Sequence, residues 1–256
     1  MTRTTLASSS PELRVNVPSS WEELDGAQLQ YILRLLSLGV PPEHTQVYAF
    51  LRFAGLRVME RGALYRLLKD DTETIVVRKG RRLYPLSRRD LSLAAMELDF
   101  IGEPPPVPQR PDKWHGVPAV DAALHGVPFG VYLQLENYMQ RYLQQPEEAL
   151  LLDMACLLYP GLRANKRNCL LSLIVLHWMT GVKMLYSRLY PDLYRPAAST
   201  DELPDLREVM LAQIRALTSG DVTKEHEVLN VDTWTALAEL NAKAREAKEL
   251  ERIYKK

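Results

Sequence analysis

The chain has 256 residues, a quarter of them charged, with 32 lysines and arginines against 32 aspartates and glutamates. That length holds one large domain or two small ones, and the balance of charge excludes a global field that would draw the whole molecule to DNA or to an anionic membrane. Two cysteines, Cys156 and Cys169, lie in apolar helical contexts, which excludes a disulfide framework and reads as two small core residues of a reducing compartment.

The N-terminal stretch MTRTTLASSSPELRVNV lacks the apolar run of a secretory leader, and residues 1–16 are expected to be a disordered tail. Ser20 with Glu23, or Ser19 with Glu22, fits a capping box, in which hydroxyl and carboxylate each satisfy an orphan N–H at a helix start. Leu29, Ile32, Leu33 and Leu36 follow at helical spacing, and Gly39 and Pro41 end that helix. A second helix is expected from about Pro42 to Ala54, stopped by Gly55, and a third, shorter one from Glu60 to Leu68. At Thr72 the pattern changes to TETIVVR, then Lys79-Gly80, then RRLYPL. Two β-prone runs about a glycine turn predict a hairpin near residues 72–86, and Pro85 confines its second strand to an edge. Ser87 with Asp90 is a candidate cap for the next helix, which ends at Gly102.

The hairpin is strongly basic. Arg78, Lys79, Arg81, Arg82, Arg88 and Arg89 contain no acid between them, a pattern that reads first as a charged edge that resists strand-to-strand aggregation and alternatively as a phosphate contact. Asp70, Asp71, Glu73 and Asp90 flank the run and can neutralise part of it. Tyr84 is its aromatic surface for a base.

EPPPVPQRP, in residues 103–113, reads as a stiff Pro-rich linker, with a PxxP at Pro105–Pro108 that also fits an SH3-type ligand. It divides a helical N-terminal subdomain, residues 17–102, from a larger helical domain, residues 114–256. HGVP then occurs at His115–Pro118 and at His125–Pro128. Each reads as a turn, because no further ligand stands at the spacing a metal requires. A helix follows from Phe129 to Gln145. The most apolar stretch comes next. It predicts a helix from Pro146 to Tyr159, a basic loop with Arg163, Lys166 and Arg167, and a buried helix from Asn168 to Tyr190 that carries a core histidine, His177. The uncharged run Cys169–Val182 is shorter than a membrane span, so no membrane partner is expected.

After the loop PDLYRPAASTDELPD, the segment LREVMLAQIRALT has one apolar helical face. Thr223 is the expected cap of a short turn, KEHEVLN. Asp232 caps the last helix, in which Trp234, Leu237, Leu240, Ala244 and Ala247 recur every three or four residues. That face is the expected partner surface. The chain carries no P-loop, no dinucleotide fingerprint, no nucleophile elbow and no HExxH, so neither a catalytic residue nor a cofactor is expected.

VPSSWEELDGAQLQYILRLL, HGVPFGVYLQLENYMQRYL and IRALTSGDVTKEHEVLNVDTWTALAELNAKARE together resemble a group of prophage-encoded proteins of Bacteroidetes, over most of the chain. The C-terminal part, with its GDVTK, is similar to the helical end of small phage tail-assembly proteins. The resemblance implies phage morphogenesis in a bacterial cytoplasm and carries no active-site residue. The expected fold is mainly α, a compact multi-helix domain with one small β-hairpin. The expected function is a non-enzymatic, chaperone-like assistant of tail assembly, with a phage structural or tail protein, or a second copy of itself, as partner. The alternative is a nucleic-acid-binding accessory protein using the basic hairpin.

Overall fold

The structure, a computed structural model, describes residues 2–6, 13–60, 62–68, 74–163, 168–194 and 206–254. The fold is mainly α with small sheets. It divides into two compact units, Met1–Pro104 and Pro105–Lys256. Lys166 and Arg167 of the basic loop, Asp70, Asp71, Glu73, and residues 195–205 lie outside the described residues.

The first unit opens with a correction. The stretch expected to be a disordered tail contains strands β1 (Thr2–Leu6) and β2 (Leu13–Val17), paired antiparallel. Leu13, Val15 and Val17 alternate along β2 and are buried, so a period-two apolar face secures the pairing. Helix α1 (Gly26–Ser37) starts later than the serine caps predicted. Asp25 accepts from the N–H groups of Ala27 and Gln28, and Gln28 returns the bond to Asp25, while Ser19 donates to Glu23 instead. Helix α2 (Pro42–Phe53) is the hub of this unit. It packs on α1, on α4 (Arg88–Ala95) and on the 3-10 turns Met96–Gly102, and it buries Val47, Ala49, Phe50 and Leu51. The N-terminus of α4 is closed by the predicted box of Ser87 and Asp90.

The predicted hairpin is β4 (Thr74–Lys79) and β5 (Arg82–Ser87), joined at Gly80-Arg81, where Gly80 takes φ +59°. The structure adds a third strand. β3 (Arg57–Val58) pairs with β4, and the short helix α3 (Ala63–Leu68) follows it. Ile75, Val77, Tyr84 and Leu86 face the core, while Val76, Arg78, Leu83 and Pro85 are exposed.

The second unit begins with the Pro-rich segment, which lies against side chains of that unit. Proline offers a carbonyl and no N–H, and side chains of the unit satisfy those carbonyls: Arg188 Nη2 donates to Pro106 O at 2.5 Å and Tyr159 Oη to Pro111 O at 3.0 Å. A Cβ on Gly181 would stand 2.5 Å from Val107 O, so glycine is what lets the segment cross the helix there. The first HGVP forms the ladder of β6 (Lys113–Trp114) and β7 (Val117–Pro118) about His115 and Gly116, both with positive φ.

Helices α5 (Phe129–Gln144), α6 (Glu148–Leu158) and α7 (Cys169–Leu189) pack in sequence. Ile174, Val175, Trp178, Met179 and Val182 of α7 are fully buried. Among the described residues α7 is long and apolar enough to cross a membrane, and 50% of its most apolar window is buried inside the structure. Cys156 is half-buried and Cys169 is exposed at the α7 N-terminus, so the expectation that both are core residues is corrected. Helices α8 (Leu206–Thr218), α9 (Glu225–Leu229) and α10 (Thr233–Tyr254) complete the unit, with α10 packed on α8 and α5.

Candidate functional site

Pairing register decides which cations share a surface. Residues opposite each other in a ladder point to one face, so Arg57, Arg78 and Leu83 form one outward row and the next outward row holds Val76 and Pro85. Arg57 is exposed and so are Arg78, Arg81, Arg82 and Arg89. Among the described residues none of these arginines makes an ion pair. Lys79 and Arg88 are half-buried and are not free cations. Asp90, expected to neutralise part of the run, is held by the Ser87 cap.

Two residues change the predicted basic surface. Tyr84 is only 8% exposed and faces the core, so it offers no platform for a base. Arg57 was missed, because a two-residue strand has no period to read. It stands opposite Arg78, an arrangement of like charges that costs roughly 0.2–1 kcal/mol unless an anion lies between them.

Arg57 also lines a groove of about 550 Å³ with Tyr31, Tyr48, Arg52, Gly55 and Leu64. The Arg52 guanidinium lies 4.3 Å from the centre of the Tyr31 ring, a cation–π contact. Burial raises the Tyr31 phenol above its ordinary value and the Arg52 charge opposes that rise.

The polar chemistry of the second unit turns inward. Three aromatic side chains donate to the segment between the two HGVP turns. Trp178 Nε1 donates to Ala122 O at 2.8 Å, and Tyr186 Oη and Trp234 Nε1 donate to Ala123 O at 2.9 and 2.6 Å. Leu124, fully buried, takes φ +64° between these anchors. Asp121 and Asp232 cap the same loop at His125 N and Gly126 N, and the His125 ring stacks on Trp234 at 4.0 Å. Further along, Lys183 Nζ lies 2.8 Å from Glu136 Oε2, and the Tyr132 hydroxyl bonds both Glu136 and the Tyr194 hydroxyl. Burial raises Tyr132, Tyr186 and Tyr194 well above the usual phenol range and Glu136 adds to this at Tyr132 and Tyr194, so these hydroxyls stay neutral donors. Burial lowers His177 to about 4.

The expected partner face on α10 is divided. Leu237 is 0% and Leu240 4% exposed, so they belong to the core, and Trp234 is tied to Ala123 and His125. Ala244 is half-buried and Ala247 exposed. Beyond them Leu250, Ile253 and Tyr254 are 55%, 67% and 85% exposed. Among the described residues no group of three or more metal-ligating side chains converges. No protein family, curated protein or solved structure matches this chain.

Proposed function

We propose that the chain is a non-enzymatic protein of phage or prophage virion assembly, acting in the bacterial cytoplasm by helix-on-helix contact with a structural or tail protein. The observation that carries this reading is the division of α10. Its first half is anchored by Leu237 and Leu240, and its second half presents Ala247, Leu250, Ile253 and Tyr254 to solvent. An apolar strip on an anchored helix can pack into a partner's groove without disturbing its own core. The sequence resemblance supplies the phage context. The test is affinity purification of the tagged chain from a prophage-induced host, with nuclease, read by mass spectrometry. Tail, tape-measure or capsid proteins are expected with the wild type and are expected to disappear with Leu250→Glu plus Ile253→Glu. Capture of no virion protein, or unchanged capture by the double variant, overturns the reading.

A second reading, nucleic-acid contact, is favoured by the Arg57–Arg78 row. Arginines without acidic partners release counterions from phosphates, so affinity falls with salt. Replacing Arg81→Glu plus Arg82→Glu is expected to weaken binding and to reduce the slope of log K against log salt by about 0.9 for each phosphate no longer neutralised. Binding that is indifferent to salt and to this double variant removes the second reading.

A further inference from the structure

The groove beside Arg57 has a composition that points to one kind of ligand. Its lining combines Tyr31 and Tyr48 with Arg52 and Arg57 and, among the described residues, includes no carboxylate. Its volume of about 550 Å³ lies in the range of small-molecule sites. The Arg52 guanidinium lies over Tyr31 and is itself exposed, so the groove offers a flat cation and an aromatic ring together to a planar ligand. Flat ring plus negative charge describes a nucleotide. Bases taken out of a helix stack on aromatic rings and on arginine planes in this way.

Arg57 connects this groove to something longer than a single nucleotide. It lines the groove and also stands opposite Arg78 in the outward row of the sheet. A phosphate at Arg57 would therefore be followed by another at Arg78, and the chain would run on towards Arg81 and Arg82. The outward row itself has no aromatic side chain, since Tyr84 is turned into the core. A strand bound there through its phosphates would find a stacking partner in the groove.

We infer that the groove lined by Tyr31, Tyr48, Arg52 and Arg57 holds one base of a single-stranded nucleic acid whose phosphates run along Arg57 and Arg78. This rests on the second reading above, and it adds a preference for single strands, because a base paired within a duplex cannot enter the groove.

The test compares a fluorescent 20-nucleotide oligo-dT with a 20-base-pair duplex, both titrated into the full chain at fixed low salt. Tyr48→Ala and Arg52→Ala are each expected to weaken oligo-dT binding about tenfold and to leave duplex binding unchanged, while Tyr48→Phe behaves as the wild type. Photocrosslinking of the unaltered protein to 5-iodouracil-substituted oligo-dT gives a readout independent of any variant's folding, and the crosslink is expected on Tyr31 or Tyr48. If oligo-dT binds but Tyr48→Ala and Arg52→Ala leave it unchanged and the crosslink falls elsewhere, the groove inference fails and the arginine row stands. If neither probe binds, both fail together.

Discussion

In the second unit Trp178, Tyr186 and Trp234 give their donors to the carbonyls of Ala122 and Ala123, whereas in the first unit Arg57, Arg78, Arg81 and Arg82 present theirs to solvent. The two sets are chemically alike in being amphipathic side chains with strong N–H or O–H donors. They differ in what the fold has done with those donors. An internal acceptor makes a donor part of the architecture: the 122–126 segment keeps its shape because each anchored carbonyl has a partner. A donor with no internal acceptor adds little to stability and remains available to a ligand. Even the ion pairs follow this division. Lys183 with Glu136 sits partly buried in the second unit, while no described residue pairs with Arg78 in the first.

The largest expected effect breaks the inward side of this contrast. Leu237→Ala removes a fully buried side chain and should cost about 2–5 kcal/mol, read as a lower thermal midpoint of the second unit. A cost near zero would return Leu237 to the surface and extend the partner face over the first half of α10.

Next is pH. Burial holds His177 at about 4, below its ordinary 6.5. Above pH 6.5 both folded and unfolded chains keep it neutral. Between about 6.5 and 4 only the unfolded chain takes up the proton, so stability falls with pH, by at most about 3 kcal/mol. Midpoints measured from pH 7 to pH 4.5 should fall more steeply for the wild type than for His177→Gln, and parallel curves would show that His177 is solvated.

Gly181→Ala is expected to cost about 1–3 kcal/mol, because the new methyl meets the Val107 carbonyl and the Pro-rich segment must shift. Protease sensitivity between Pro105 and Pro111 should rise with it. An unchanged proteolysis pattern would mean that the segment is not clasped against α7.

The smallest effect tests the outward side. Arg78→Glu should change stability by less than about 0.5 kcal/mol, in the stabilising direction if the new carboxylate gives Arg57 an opposite charge. A loss of several kcal/mol in chemical denaturation would show that Arg78 is structural and would take it out of the row available to a ligand.

Some of this organisation is local in origin, and that part was legible. The spacing of apolar residues in Phe129–Gln144 and Thr233–Tyr254 marked their helices, and the long uncharged run before Pro191 marked Cys169–Leu189. The Ser87–Asp90 cap and the hairpin about Gly80 were equally local, each set by residues three or fewer positions apart at a stop or turn. The basic character of that hairpin could also be read directly.

Other features exist only because distant residues meet. The partner of Arg78 is Arg57, which lies on a strand too short to show alternation. Tyr31, Arg52 and Arg57 come from α1, α2 and β3 and form a groove only when those elements pack. The apolar stripe of α10 predicted burial but not by what, and the fold used its first half for its own core. Gly181 has the look of an ordinary weak point in a helix until the Val107 carbonyl is placed above it. Periodicity states that a face will be covered. The identity of the cover is a long-range choice among many apolar surfaces of similar energy, and only the packed structure makes that choice.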